Sequence, residues 1–254
     1  MSEKAVHLRD EGRVGWIQLD RPPLNILNVA MMQELAETIG AAAGQFDVMV
    51  IAGAGPKGFC AGADVGDHLP GQVGEMLRAF HQVVGALWNA DALSVAAVHG
   101  WCLGGGCELA MACDFVVAAE SAVFGQPEIK LGALPPVAMV LLPLLVGPRT
   151  AWDMILTGRN VPAGEARELG LVTRLVPEEG FDPGVRSLVE ELTELSPAVL
   201  KMARKELWRR ARPDFEKELS EVEAFYLERL MRTGDAAEGI RAFLEKRAPV
   251  WTGH

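Results

Sequence analysis

The 254-residue sequence predicts an α/β fold followed by an all-helical C-terminal region. Over about residues 1–180, short apolar segments of strand character alternate with segments of helical periodicity, a pattern typical of buried and partly parallel strands. From about residue 185 onward only helical patterns remain. No repeat of fixed period is visible, so any structural repetition is hidden from the sequence.

The first half of the chain gives clear element signals. Strands are predicted at 14–19, 48–52, 94–98 and 115–118, where apolar runs are bounded by turn residues. Helices are predicted at 29–44 and 75–89, where apolar residues recur every three to four positions. A further short helix is expected to run from the glycines at 104–106 to Met111.

Three or four helices are predicted in the C-terminal region. Ser196 and Pro197 have the residue types of an N-cap and a first helical position. Asp235 and Glu238 form a variant of the capping box for a last helix that extends to Arg247. Between these, a helix begins at Asp214, and its predicted apolar face consists of Phe215, Leu219, Val222, Phe225 and Leu230. The sequence leaves open whether these helices pack on the body of the protein or on another subunit.

Composition and charge exclude several classes of protein. A hydrophobic content of 50% with 23% charged residues excludes intrinsic disorder, and the net charge of −10 disfavours nucleic acid and anionic membranes as partners. No apolar run reaches the roughly 18 residues of a membrane span. The four cysteines lack CxxC spacing and histidine partners, so we expect no disulfide framework and no metal site. The N-terminus resembles no targeting segment, and we expect a reduced, cytoplasmic protein.

A glycine-rich turn at 100–106 is the first candidate functional segment. It follows a predicted buried strand, and Gly104–Gly106 open a helix. Glycines let the backbone approach a ligand, and the first N–H groups of a helix are unpaired and lie at its positive end. Such groups stabilise a carbonyl oxygen that becomes negative. The turn lacks the last glycine of the dinucleotide-binding pattern and is not a Walker A motif. The alternative is a tight turn whose glycines serve packing alone.

A second loop of small residues, Phe59–Asp64, is able to supply another backbone N–H. Two amides from separate loops that converge on one oxygen form an oxyanion hole. Taken alone, this loop is more often structural than functional.

Two glutamates interrupt segments that otherwise have the composition of buried structure. Glu108 follows the glycine turn, and Glu128 lies in the segment 124–129. Burial raises the pKa of a carboxyl group and suits it to proton transfer near neutral pH. A single glutamate of this kind is more often structural, but two of them beside a glycine turn favour acid/base chemistry.

Taken together, these motifs resemble the crotonase (enoyl-CoA hydratase/isomerase) superfamily along almost the whole chain. The order and spacing of the matching segments are specific, although each segment alone is weak. The segments are 20–22, 24–28, 61–64, 103–110, 113–114, 124–129, 156–158, 166–172 and 243–247.

The resemblance implies a core of ββα spiral turns, residues 1–190, that binds acyl-CoA and carries the active site. Residues 191–254 are then a helical region that builds a homotrimer or, from two trimers, a homohexamer. The implied substrate is an acyl-CoA thioester, whose coenzyme A is part of the substrate, and no other cofactor is expected. Its carbonyl is expected to lie between the N–H groups of Ala63 and Gly105, while Glu108 and Glu128 share a water molecule.

The same resemblance implies the residues around the substrate. Coenzyme A is expected to contact the loop formed by Ala61, Ala63, Asp64, Val65 and Gly66. In relatives a C-terminal lysine reaches the CoA phosphates, in some cases those of a neighbouring subunit, and Lys246 is the matching residue.

The acyl pocket is expected to include Leu134, Pro135 and Pro136. This run departs from the glycine-rich segment of many hydratases and resembles the cyclohexa-1,5-diene-carbonyl-CoA hydratase subgroup. The alternative is a neutral loop variant in a straight-chain hydratase.

Within this resemblance, the presence of both glutamates favours hydration, so we expect a hydro-lyase of fatty-acid metabolism or aromatic degradation. The alternatives are double-bond isomerisation or C–C hydrolysis on the same scaffold, and a non-catalytic acyl-CoA or RNA binder. The acidic net charge disfavours RNA.

Overall fold

A computed structural model describes residues 4–212 and 214–254. Within these residues the strands are β1 (Val6–Glu11), β2 (Val14–Leu19), β3 (Val48–Gly53), β4 (Leu93–Val98), β5 (Trp101–Leu103), β6 (Phe115–Ala119), β7 (Val123–Gly125), β8 (Asn160–Pro162) and β9 (Arg174–Val176). The α-helices of the same residues are α1 (Val29–Gln45), α2 (Val73–Trp88), α3 (Gly105–Met111), α4 (Pro136–Val146), α5 (Pro148–Thr157), α6 (Ala163–Glu168), α7 (Phe181–Thr193), α8 (Pro197–Ala211), α9 (Phe215–Glu228) and α10 (Gly234–Leu244). Short 3₁₀ turns lie at Val65–His68, Pro127–Leu131, Glu178–Gly180 and Leu230–Arg232.

The predicted α/β class is confirmed by a six-stranded sheet in the order β1-β2-β3-β4-β6-β9. Only the β1–β2 pair is antiparallel. Side chains alternate between the two faces of each strand, so a central strand contributes side chains to two apolar layers, one on each face of the sheet. Met49 and Ile51 of β3 face the layer that contains α1 and α2, whereas Val48 and Val50 face α7. Coverage of both faces explains why all six residues of β4 are buried.

A smaller sheet has the order β5-β7-β8. From β4 to β7, successive strands alternate between the large and the small sheet, which produces the spiral of ββα turns. β4 enters the large sheet and the next strand, β5, enters the small sheet before α3 begins. β6 and β7 divide in the same way before α4. The segment after β3 makes a parallel bridge from Cys60 to Cys102 and then leads to α2. Three ββα turns are therefore stacked, although their spacing in the sequence is irregular.

The C-terminal helices dock on the body through a buried ion pair. Arg204 of α8 donates from Nε to both carboxylate oxygens of Asp114, at 2.9 and 2.7 Å, and Nη2 and Nη1 donate to the carbonyls of Leu87 and Ala90. Asp114 also accepts hydrogen bonds from the backbone and hydroxyl of Ser94 in β4. These contacts tie α8 to the end of α2 and to the sheet. The predicted domain boundary at residue 190 falls within α7, and the division into two domains stays a prediction.

Three details of the predicted C-terminal helices are wrong. The cap of α10 is Thr233, whose hydroxyl accepts from the Ala236 N–H, whereas Asp235 is occupied by the backbone N–H groups of Thr252 and Gly253. The helix also ends at Leu244 rather than Arg247. On α9, Phe225 is 51% exposed, and the neighbouring Tyr226 is buried in its place.

The helix starts at Pro197 and Phe215 are as predicted, but neither Ser196 nor Asp214 makes a side-chain capping bond. None of the helices in the described part of the chain combines the length and the apolarity that crossing a membrane requires.

Candidate active site

A cavity of about 630 Å³ lies between the glycine turn, the 61–65 loop and the C-terminal helix α10. Its volume is in the range of small-molecule sites. Predicted site residues that line it are Ala61, Ala63, Asp64, Val65, Gly105, Glu108, Glu128, Leu134 and Pro136. Two larger clefts, of about 790 and 690 Å³, contain none of the predicted site residues.

The loop that carries Ala63 is held by the segment before α1. Leu27 accepts from the Asp64 N–H at 2.8 Å and donates to the Gly62 carbonyl at 2.9 Å, which forms a short parallel bridge between Leu27 and Ala63. Asn25, which is fully buried and has a φ of +53°, donates to the carbonyls of Ala54 and Gly58 at 2.9 and 3.0 Å. The 24–28 motif thus fixes the loop, a role that sequence reasoning did not assign to Asn25.

Ala63 and Gly105 bring two unpaired backbone amides to the cavity wall. Leu27 bonds to the Gly62 carbonyl and the Asp64 N–H on either side of Ala63, so the Ala63 N–H has no acceptor among the described residues. The Gly105 N–H has none there either, because Gly105 begins α3. A Cβ added to Gly105 would lie 3.4 Å from the Ala63 nitrogen, so the two backbones are close together. Two unpaired amides this close together are able to donate to one oxygen.

Glu108 and Glu128 reach the same cavity from different elements. Glu108 lies in α3 and is 3% exposed, and its Oε1 accepts from the Ala138 N–H at 2.8 Å. Ala138 belongs to the first turn of α4, whose free amides are oriented by a start at Pro136. Glu128 is in the 3₁₀ turn after β7 and is 9% exposed.

The two oxygens of Glu128 lie in different surroundings. Oε1 is beside Gly104, where an added Cβ would come within 2.5 Å of it. Oε2 is enclosed and has no hydrogen-bond partner among the described residues. Oε1 therefore lies at the glycine turn that lines the cavity, whereas Oε2 is shielded from solvent.

Burial raises the pKa of both carboxyl groups. The pKa of Glu108 rises to about 7, although hydrogen bonds from the Ala138 and Val137 amides oppose the effect of burial. Burial raises the pKa of Glu128 well above its ordinary value, and the charge of Glu108 raises it further. Ionisation of one carboxyl group therefore hinders ionisation of the other, as expected of coupled acids in one site.

Three predicted site residues are not in the cavity wall. Gly66 donates its N–H to Asp64 and turns away into the 65–68 turn, and Pro135 is buried at the cap of α4. Lys246 is exposed, just beyond Leu244 of α10.

Sequence reasoning missed much of the apolar wall. The additional apolar lining residues are Leu24, Ile26, Met76, Leu77, Phe80, Leu131, Phe243 and Leu244. They come from four separate segments, so no local pattern marks them as neighbours. His68 also lines the cavity, and its Nδ1 lies 3.0 Å from the Asp64 carbonyl oxygen.

Comparison with known proteins agrees with this geometry. A profile of the enoyl-CoA hydratase/isomerase family matches residues 9–254. The chain belongs to the enoyl-CoA hydratase/isomerase family. The resemblance predicted from the motifs is therefore confirmed.

Individual relatives cover nearly the whole chain. A cyclohexa-1,5-dienecarbonyl-CoA hydratase of Thauera aromatica is 36% identical over 97% of this chain and 95% of its own. A probable enoyl-CoA hydratase of Mycobacterium bovis is 39% identical over 99% of both chains. The crystal structure of an enoyl-CoA hydratase from Mycobacterium avium subsp. paratuberculosis superimposes with a TM-score of 0.88, at 28% identity and 98% coverage of each chain. Hydratases are hydro-lyases, so these relatives confirm the predicted enzyme class.

Proposed function

We propose that this member of the family adds water across the conjugated double bond of a 2-enoyl-CoA thioester. The observation that carries the proposal is the presence of two unpaired amides and two buried glutamates on the wall of one cavity. The amides can stabilise an oxygen that gains negative charge. The glutamates can accept a proton from the attacking water and return a proton to the product. No metal or redox step is needed for this chemistry.

The amides of Ala63 and Gly105 act on the thioester carbonyl. Attack of water at C3 moves electron density to the carbonyl oxygen and forms an enolate. Each amide stabilises that charge by about 3–4 kcal/mol, by analogy with the loss of one donor from other oxyanion holes. Because the donors belong to the backbone and are held by β-bridges and a helix start, they need no reorganisation during the reaction.

The glutamates act on the water and on C2. An ionised carboxylate accepts a proton from the attacking water, and a protonated carboxyl group returns a proton to C2 of the enolate. Because burial raises both pKa values and the two acids interact, one can keep its proton while the other is ionised, which is the required state. Because the two carboxyl groups titrate together, the roles of base and acid are assigned to the pair and not to one glutamate each.

The substrate is proposed to be either a straight-chain enoyl or a cyclic dienoyl thioester. The relative from Thauera aromatica and the Pro135–Pro136 run support the cyclic substrate, whereas the probable enoyl-CoA hydratases support the straight chain. Leu134 and Pro136 form part of the apolar wall against which either acyl group would pack.

A homotrimer or homohexamer is proposed for the assembled protein, with Lys246 reaching the phosphates of coenzyme A. Apolar side chains on α5 and α8 support assembly because they are left exposed, among them Trp152 at 60%, Met202 at 72% and Leu207 at 68%. Sedimentation equilibrium tests this part of the proposal, which a monomer at micromolar concentration would contradict.

Substitution of each glutamate tests the reaction itself. Glu108→Gln and Glu128→Gln keep the shape of the site but remove its acid/base groups, and each is expected to lower kcat by about 100-fold or more. The assay follows loss of thioester conjugation with crotonyl-CoA and with a cyclic dienoyl-CoA. Glu120→Gln, at an exposed position between β6 and β7, is the matched control. Unchanged turnover in both active-site variants would exclude the proposed mechanism.

Incorporation of ¹⁸O from labelled water distinguishes hydration from isomerisation. A product that gains one labelled oxygen supports hydration, and an unlabelled product with a shifted double bond supports isomerisation. Binding of acyl-CoA without turnover would indicate a non-catalytic binder.

A further inference from the structure

Tyr226 is a buried polar residue that the proposed reaction does not use. It is the only tyrosine in the sequence, and it lies on α9 with none of its surface exposed. Its hydroxyl is enclosed and has no hydrogen-bond partner among the described residues. An enclosed hydroxyl without a partner is costly, so its retention requires an explanation.

Helix α9 packs against two elements that belong to the site. The helix packs against α4, which supplies the Ala138 amide to Glu108, and against α2, which supplies Phe80 to the cavity wall. Burial raises the pKa of Tyr226, and the charges of Glu128 and then Glu108 raise it further. Such an effect requires short separations inside the protein, because charge interactions weaken with distance.

Glu128 offers the complementary group. Its Oε2 is also enclosed and has no hydrogen-bond partner among the described residues. A donor and an acceptor that are each unpaired, and that lie in the same buried region, satisfy one another most economically through a shared water molecule.

We propose that Tyr226 is a positioning residue for Glu128, whose enclosed Oε2 it holds through one bound water molecule. The hydroxyl donates toward the carboxylate, so it stabilises the ionised form of Glu128 and fixes the direction of Oε1 into the cavity. The inference rests on the proposed function for its effect on catalysis. It also adds α9 to the site, beside α10 of the same C-terminal helical region, which already lines the cavity.

Other titratable groups around Glu128 are distinct from this contact. Glu108 and Cys107 face it from α3, and Lys130 comes from its own turn. Asp64 and His68 line the cavity from the opposite loop. On α9, Glu223 is paired with His81 of α2 at 2.6 Å. The wall residues contributed by α4 and α10 are Pro136, Phe243 and Leu244, which do not titrate.

Tyr226→Phe tests the proposal because it removes one oxygen and keeps the ring. Loss of a donor to a carboxylate raises the pKa of that carboxylate, so the pH profile of kcat/KM is expected to move upward by roughly one pH unit. The free energy of unfolding is expected to fall, since a satisfied hydrogen bond is lost. Phe225→Leu, at the adjacent exposed position, is the control and is expected to leave the pH profile unchanged.

The outcomes separate the proposal from a structural role. An unchanged pH profile overturns it, whether or not stability falls, and so does an equal shift in the Phe225→Leu control. If the wild-type protein hydrates no enoyl-CoA, the proposed function fails. The free energy of unfolding of Tyr226→Phe then tests whether the hydroxyl has a hydrogen-bond partner. In that case a Tyr226→Phe variant as stable as the wild type, or more stable, shows that the hydroxyl has no partner and overturns the contact.

Discussion

Adding a single methyl group at Gly104 is expected to impair the proposed reaction while the fold is kept. Its φ of +52° and ψ of −128° are accessible only to glycine, and an added Cβ would lie 2.5 Å from Glu128 Oε1. The backbone strain of Gly104→Ala is worth about 1–3 kcal/mol. The methyl group also requires the carboxylate to move away from the turn.

The expected effect on activity follows from the size of that retreat. Contact at an ordinary distance requires Oε1 to move by roughly 0.5–1 Å, and a misplacement of about 1 Å costs about 100-fold in rate. We therefore expect kcat for crotonyl-CoA hydration to fall about 100-fold in Gly104→Ala, with a loss of about 1–3 kcal/mol in the free energy of unfolding.

Gly44→Ala is the matched control. Gly44 is exposed in α1, and an added Cβ there meets no atom within 4 Å. That variant is expected to gain about 0.5–1 kcal/mol in stability and to keep full activity. Turnover of Gly104→Ala within twofold of the wild type would refute the placement of Glu128 Oε1 beside this turn.

Two further predictions concern stability. The pKa of Glu108 is raised from 4.5 to about 7, so the unfolded chain loses this proton first and stability falls as pH rises from about 4.5 to 7. Glu108→Gln is expected to remove up to about 3 kcal/mol of that fall, measured by denaturant unfolding at pH 5 and pH 8, and an unchanged pH dependence would contradict it. Arg204→Met leaves Asp114 buried without its charged partner and is expected to cost about 3–5 kcal/mol, whereas Arg209→Met, at an exposed pair, is expected to leave the denaturation midpoint unchanged.

The sequence alone determined the order of the elements and the chemical types at the site. Apolar runs and helical periodicity depend on neighbours a few residues apart, so β2, β3, β4, β6 and the starts of α1 and α3 were predictable. The glycine turn and the two glutamates were visible because polar or flexible residues interrupt apolar segments.

Only the tertiary structure decided which of these residues meet. Ala63 and Gly105 are brought together by bridges between segments far apart in the chain, and Phe243 closes the cavity from α10. The choice of Tyr226 over Phe225 for burial depends on where α4 and α2 pack, not on the period of α9. The raised pKa values of Glu108 and Glu128 have the same origin, because desolvation requires water to be displaced by side chains from many segments at once.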